Sequence, residues 1–364
     1  REGGNVAISP FENIVSNANA SENHAFAQAK STEISRKMSR LKTDFHMSGR
    51  RSPKPKITIG YLSSDIGDHA IAHVILSLFG LHDRKEFSVF TFSHGKNDGS
   101  AYREIIKHDS DTFFDIQTTN HFEAAGEIFE SGVDILVDLN GHTRNNRLEI
   151  CALRPAPVQV TYLGFPGTSG ADFLDYIITD KVVTPEDQSP YYSEKFVYLP
   201  NCYQINNHKQ KISISPFSRS DFDLPENGFV FCSFNNNYKI EPVIFNVWLN
   251  LLMKVPGSVL WLIKSNDLAE GNLKSVAQAR GVDGDRLIFA EKLPKDQHLA
   301  RCRLADLGLD TRIYGGHTTT SDLLWAGVPV VTMLGTHFAS RVAASLLNAV
   351  GMSELITSNL EEYE

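Results

Sequence analysis

Four cysteines in 364 residues are few, and Cys151, Cys202, Cys232 and Cys302 stand far apart with no CxxC pair among them. That argues against a disulfide scaffold or a paired-cysteine zinc site, and buried reduced thiols fit a reducing compartment. Long apolar runs are missing too. The longest, such as Val74 to Leu81, fall well short of the roughly 18 residues that a spanning helix needs. The first residues lack the charged-then-apolar pattern of a secretory signal, so the expectation is a cytoplasmic or nucleocytoplasmic protein without a membrane partner. Basic charge is scarce, with a formal net charge of −8. The most basic stretch, Arg50, Arg51, Lys54 and Lys56, is short and reads better as a solvated linker than as a nucleic-acid surface. No HExxH occurs, and no DxD-type metal motif stands out in the segments expected at strand ends. No internal repeat is visible at a period of 20 to 50 residues.

Hydrophobic residues make up 41% of the chain, enough for real cores, and the length suggests two domains. Residues 1–53 are rich in Ser, Asn, Ala and charge. Ala25 to Leu41 has helical character, and Ser48-Gly-Arg-Arg-Ser-Pro-Lys-Pro55 then reads as a linker. From Ile57 the pattern becomes regular. Strands are expected at 57–62, 87–92, 134–139 and 158–163, with helices at 69–81 and 122–131. A second unit of the same kind starts near Phe229. Its strands are expected at 229–234, 258–264, 286–290, 307–310 and 328–333, and its helices at 242–255, 268–280, 294–305, 319–327 and 340–350. Alternating strands and helices point to α/β domains with parallel sheets covered on both faces. The expected division is a helical or linker segment at 1–53, a Rossmann-like domain at 54–205, a linker at 206–223 and a second Rossmann-like domain at 224–364. Two such domains facing each other would leave a cleft at the carboxyl ends of their strands, where ligands of doubly wound sheets sit. Ser358 to Glu364 reads as a helix cap and a first turn, so further residues are expected beyond it.

Four motifs carry the chemistry. Gly315-Gly-His-Thr-Thr-Thr-Ser-Asp322 follows a strand and opens a helix. Glycines, hydroxyls and free N–H groups at a helix start suit an anion such as a diphosphate; a capped glycine turn is the plainer reading. In Phe234-Asn-Asn-Asn-Tyr-Lys239 a lysine follows the end of a strand. Its ammonium would neutralise charge on a leaving diphosphate, or it is a surface lysine. In Ser63-Ser-Asp-Ile-Gly-Asp-His69, Asp65 and His69 lie four apart at a helix start. His69 would act as a base or hold an acceptor hydroxyl with Asp65 beside it, or the pair is a cap with a surface histidine. His69 and His73 have half of a zinc spacing and no further ligand pattern. Leu163-Gly-Phe-Pro-Gly-Thr-Ser-Gly170 is a close-approach loop after a strand, and Asn140-Gly-His-Thr-Arg144 is another glycine loop. Lys295, His298 and Arg301 lie close on one helix, facing either a nucleotide base and ribose or solvent.

These motifs, together with Leu153-Arg-Pro-Ala-Pro-Val-Gln159, Asp175-Tyr-Ile-Ile-Thr-Asp180, Leu324-Trp-Ala-Gly-Val-Pro329 and Ala339-Ser-Arg-Val-Ala-Ala-Ser345, occur in an order that resembles the protein O-GlcNAc transferase family over about residues 56–364. The resemblance implies a GT-B fold and an inverting transfer of GlcNAc from UDP-GlcNAc to Ser or Thr of proteins, with no metal or other cofactor. It implies that Lys239 binds the diphosphate and assists departure of UDP, and that Thr318 and Thr319 hold phosphate. His298 and Arg301 would contact uracil, Lys295 and Asp322 the ribose, and Gly164, Pro166 and His317 the sugar. Asp65 and His69 would sit near the acceptor, with the proton acceptor left open between them. Asn236 stands where the animal enzymes have Gln.

Three features depart from the animal pattern. The segment from Gln204 to Asp223 is too short for the long insertion between the catalytic halves. Residues 1–50 have room for only a remnant of the upstream TPR repeats. An upstream active-site His has no clear match near Ser9-Pro-Phe-Glu12. The plant sister branch, which uses GDP-fucose, lacks counterparts of His317 and Lys295, so their presence favours GlcNAc. An inactive nucleotide-sugar-binding scaffold is the reading from another class.

Overall fold

The computed structural model describes residues 8–41, 54–214 and 216–364. Arg50, Arg51 and residues 48–53 of the expected linker lie outside the described residues. The chain divides into two compact units, residues 1–209 and 210–364.

The first unit is built on seven parallel strands: β1 (Ile57–Ser63), β2 (Phe87–Ser93), β3 (Thr112–Asp115), β4 (Ile135–Asp138), β5 (Val158–Thr161), β6 (Tyr176–Thr179) and β7 (Lys195–Tyr198). Their order is β3-β2-β1-β4-β5-β6-β7. Ile59 of β1 lies opposite Val89 of β2 on one side and Ile135 of β4 on the other. The order reverses between β1 and β4, which makes the carboxyl ends of those two strands the topological switch point. Strand β1 is buried from Thr58 onward, as expected for a central strand covered on both faces.

The second unit has six parallel strands: β8 (Val230–Ser233), β9 (Val259–Ile263), β10 (Leu287–Ala290), β11 (Leu307–Leu309), β12 (Val330–Met333) and β13 (Ile356–Thr357). Their order is β10-β9-β8-β11-β12-β13, so the switch point falls between β8 and β11. All four residues of β8 are buried. The helix Pro242–Lys254 starts with Pro at its first position, and Glu241 caps it by accepting from the amides of Val243 and Ile244. It lays Trp248 and Leu252 against Leu260 and Leu309 of the sheet.

Several elements differ from the sequence reading. The helix expected at 69–81 is two pieces, Ala70–Ile75 and Leu78–Leu81. Ser77 sits at the break and donates its hydroxyl to Asn207 Oδ1 at 2.5 Å. The helix Ala101–Asp109 and strands β3, β6, β7 and β13 lie outside the expected elements; β7 alternates exposed and half-buried positions. The sequence pattern sets residues 1–53 apart as a segment of their own. The helix Ala20–Met38, however, puts Ile34 and Met38 into the same core cluster as Leu136 and Phe173. That helix therefore builds the first unit. At the other end, Asn359 caps the helix Leu360–Tyr363 by accepting from the Glu362 amide. Among the described residues no helix is long and apolar enough to cross a membrane.

Candidate active site

In each unit the polar residues gather at the switch point. In the second unit, Phe234 and Asn235 leave the end of β8, and Lys239 closes a short 3-10 turn, Asn237–Lys239. Its Nζ donates to the Gly315 carbonyl at 2.8 Å and to Asn235 Oδ1 at 3.3 Å, and lies 4.1 Å from the centre of the Tyr314 ring. Burial pushes the Lys239 ammonium down to about 8, while Asp310 pulls the other way. Asp310 follows β11 and is buried. Its Oδ1 accepts from the amides of Gly316 at 2.5 Å and Thr311 at 2.9 Å, and its Oδ2 accepts from the Thr332 hydroxyl at 2.7 Å.

The turn leads into the helix Thr318–Ala326, preceded by His317, and no side chain caps that helix. The uncapped first turn is a natural seat for an anion. Thr319 holds its place by donating to Asn235 Oδ1 at 2.8 Å. A Cβ on Gly316 would meet Thr320 Oγ1 at 2.3 Å, so only glycine lets the turn pass this closely. His317 pairs its Nε2 with the Ala339 carbonyl at 3.3 Å, and burial holds its ring neutral with a pKa near 3. Asn236 is exposed beside this group.

Behind the turn, Lys295 at the start of one helix and Asp322 on the next form an ion pair at 2.5 Å, with both side chains largely buried. Burial raises the Asp322 carboxyl and Lys295 opposes that shift. His298 accepts at Nδ1 from Arg301 Nε at 3.1 Å, and burial pushes its pKa to about 3. With Nδ1 occupied as an acceptor, the neutral ring carries its proton on Nε2. Arg301 is fully buried. Its guanidinium is taken up by His298, by the Glu291 carbonyl, and by the rings of Phe234 and Trp261 at 5.3 and 5.9 Å. Its side chain thus braces His298.

In the first unit, Asp65 lies just past β1. Its Oδ1 accepts from Ser64 Oγ at 2.8 Å and its Oδ2 from Asn140 Nδ2 at 2.9 Å. His69 stands in extended conformation ahead of the helix Ala70–Ile75 and caps it through Nδ1, which accepts from the Ile71 amide at 3.3 Å. The same Nδ1 is 3.7 Å from Asp65 Oδ2, and the ring is half exposed. Asp138, at the end of β4, accepts from the amides of Gly141 and Asn140, and burial pushes its carboxyl up to about 6.

The loop after β5 has a different set of neighbours. Gly164 comes so near the Leu139 carbonyl that a Cβ would sit 2.0 Å from it, and Pro166 is buried. Gly170, at φ +63°, lies against the Gln28 and Ala27 backbone. The close approach expected here toward a ligand is made, at Gly170, toward the helix Ala20–Met38. Ser31 Oγ and His142 Nε2 both bond the Ser169 carbonyl at 2.7 Å, and the buried Glu194 carboxylate receives Thr168 Oγ1, Ser169 Oγ and the Ser169 amide.

Lys239, His317, Thr318 and Thr319 thus meet at the second switch point, with the Lys295, His298, Arg301 and Asp322 group behind them; Asp65 and His69 meet at the first. The motifs gave no role to Asp310, Asn140 or Tyr314. An aspartate directly after the apolar run Leu307–Leu309, in the segment that leads to Gly315-Gly316, was the available signal for Asp310, and the Asn-Gly after β4 was the signal for Asn140.

A model of glycosyl transferase family 41 matches residues 10–217 and 211–364. The chain belongs to that family. An Arabidopsis thaliana protein named probable UDP-N-acetylglucosamine--peptide N-acetylglucosaminyltransferase SEC is 43% identical over 315 residues, covering 85% of this chain and 32% of its own length. The Caenorhabditis elegans UDP-N-acetylglucosamine--peptide N-acetylglucosaminyltransferase is 31% identical over 85% of this chain and 36% of its own. An Arabidopsis relative named SPINDLY is 35% identical over 86% of this chain and 35% of its own. The chain spans about a third of the length of these curated relatives. Among solved structures, a mutant O-GlcNAc transferase of Thermobaculum terrenum matches with a TM-score of 0.87 and 29% identity, covering 97% of this chain and 67% of that one. Anabaena HepE, at 10% identity, shares the fold alone with a TM-score of 0.52, covering 82% of this chain and 95% of that one. The family 41 units are those of a GT-B glycosyltransferase.

Proposed function

We propose that this chain transfers GlcNAc from UDP-GlcNAc to Ser and Thr hydroxyls of proteins, with inversion at the anomeric carbon and without a metal ion. The observation that carries the reading is the placement of Lys239 and the uncapped start of the helix Thr318–Ala326 at one switch point. The donor substrate follows from the names of the relatives.

The acceptor oxygen attacks the anomeric carbon from the face opposite UDP. The carbon–oxygen bond to the β-phosphate breaks, and the phosphate keeps the electron pair. The Lys239 ammonium and the helix start at Thr318 and Thr319 offset that charge, which is the task a divalent ion performs elsewhere. Lys295 and Asp322 hold the ribose, and His298, braced by Arg301, meets the uracil. Asn236 and His317 flank the donor, and Gly164 and Pro166 line the sugar.

The hydroxyl proton leaves to a carboxylate or an imidazole. With Nδ1 of His69 accepting from the Ile71 amide, the neutral ring bears its proton on Nε2 and donates there. Asp65 retains acceptor lone pairs on both oxygens, which favours it as the proton acceptor. Cytoplasmic residence is part of the same reading.

The test offers UDP-GlcNAc and GDP-fucose separately to wild type and Lys239→Ala, with cell lysate as acceptor, and reads nucleotide release and protein mass. An N-acetylhexosamine gain that Lys239→Ala loses is the expected result. Fucose transfer would move the chain to the sister branch. UDP release without modified protein would point to a small acceptor, and donor binding without turnover to a scaffold.

A further inference from the structure

Lys239 and Asp310 grip the same peptide group. The ammonium donates to the Gly315 carbonyl at 2.8 Å, and the carboxylate accepts from the Gly316 N–H at 2.5 Å. These are the two polar ends of one amide, which in a trans peptide point to opposite sides. The ammonium therefore lies at the negative end of that amide dipole and the carboxylate at its positive end. Burial pushes the Asp310 carboxyl up, and the three donors to its side chain, Thr332 Oγ1, Gly316 N and Thr311 N, together with the Lys239 charge, oppose that shift and favour the ionised form.

Asp310 is also held through its backbone. Tyr363 donates its hydroxyl to the Asp310 carbonyl at 2.8 Å, and Trp248 donates to Tyr363 at 3.2 Å. Thr311 Oγ1 closes the loop by donating to the Tyr314 carbonyl at 2.6 Å. Neither glycine has room for a side chain: a Cβ on Gly315 would lie 2.9 Å from Asp310 Oδ2. The turn is thus fixed from the protein interior, and its outer end is the helix start that the donor-site reading assigns to phosphate.

We infer that Asp310 is a positioning residue for the donor diphosphate, holding Lys239 Nζ and the start of the helix Thr318–Ala326 in one arrangement through the Gly315–Gly316 peptide. The inference rests on the proposed donor site. Lys239 spends two of its three N–H groups on Gly315 and Asn235, so the third meets a phosphate oxygen while the Gly315 carbonyl stays in place.

The titratable groups facing Lys239 are Asp310, Tyr314 and His317. Burial keeps His317 neutral and raises the Tyr314 phenol far above its usual range, so Asp310 is the neighbour whose charge supports the ammonium. Free Lys239 loses its proton near pH 8, and a phosphate partner raises that point. Affinity for UDP therefore falls as pH rises above about 8.

The experiment measures UDP affinity by calorimetry on the full chain between pH 6.5 and 9.5. It compares wild type, Asp310→Asn, Lys239→Ala and the double variant, with thermal unfolding as a check on folding. In Asp310→Asn the affinity is expected to drop about tenfold at pH 7, and the alkaline fall to begin about one pH unit lower. On the Lys239→Ala background the same substitution should cost less than about threefold. A uniform loss with an unmoved pH profile, additive with Lys239→Ala, would reduce Asp310 to a structural role and overturn the inference. So would unchanged affinity. If wild type does not bind UDP, or Lys239→Ala binds it equally well, the donor-site reading fails first. Should Asp310→Asn not fold, Thr332→Val removes one bond to the carboxylate and keeps its charge. It should then weaken UDP by at least about threefold, and do so only where Lys239 is present.

Discussion

Asn140 Nδ2 donates to Asp65 Oδ2 across 2.9 Å, tying the end of β4 to the residue that follows β1. The same amide group accepts the Ser64 N–H at 2.8 Å and donates to Ser64 Oγ at 2.9 Å. Asn140 is completely buried, so the bonds set the rotamer of Asp65. On the proposed reading Asn140→Ala should lower kcat about 10- to 100-fold, a share of what a proton acceptor contributes. The KM for UDP-GlcNAc should stay within about twofold. Steady-state kinetics checks it, and a parallel rise in KM would mean that the whole unit had shifted.

Lys295 and Asp322 form a largely buried ion pair, so each is costly without the other. Asp322→Asn should destabilise the protein by about 3 kcal/mol and weaken UDP at least tenfold. Lys295→Met with Asp322→Leu should recover most of the stability, because an apolar pair replaces a charged one. It should not recover UDP binding. Denaturant melts and calorimetry on the same samples separate the two effects.

Asp138 has its carboxyl raised to about 6, chiefly by burial and secondarily by the Asp65 charge. A carboxyl with a folded pKa above its unfolded one favours folding when protonated. Its contribution is therefore complete below about pH 4 and lost as pH rises through about 6. Asp138→Asn keeps an acceptor for Gly141 N without the charge. Its melting temperature should exceed that of wild type at pH 7.5, and the gap should close toward pH 4.5. A gap that widens in acid would refute the sign.

Gly170 combines φ +63° with a Cβ position 2.2 Å from the Gln28 amide nitrogen. Gly170→Ala should cost about 3 kcal/mol through strain and overpacking. Ser31→Ala, which removes the bond from the helix Ala20–Met38 to the Ser169 carbonyl, should cost about 1 kcal/mol. Chemical unfolding of both variants reads the docking of that helix onto the loop.

Much of the architecture was legible in the chain because buried central strands write themselves as short apolar runs. Ile57 to Leu62 and Phe229 to Phe234 are such runs, and each has a chemistry-bearing loop directly after it. Strands β3 and β7 were not legible: both are four-residue edge strands, where one solvent face dilutes the signal. The break at Ser77 was equally invisible, since apolar residues continue at helical spacing across it and its side chain meets a partner 130 residues away.

The order of residues determined which groups stand at strand ends, because local pattern and turn chemistry settle where a strand stops: Asp65 after β1, Lys239 after β8, the Gly-Gly turn after β11. Only the tertiary structure decided their partners. Asp310 and Lys239 are 71 positions apart and meet on one peptide because the strand order seats β8 beside β11. Asn140 reaches Asp65 because β4 lies beside β1. Sheet order is a long-range choice made by burial of both faces, and it places residues in contact that no local pattern relates.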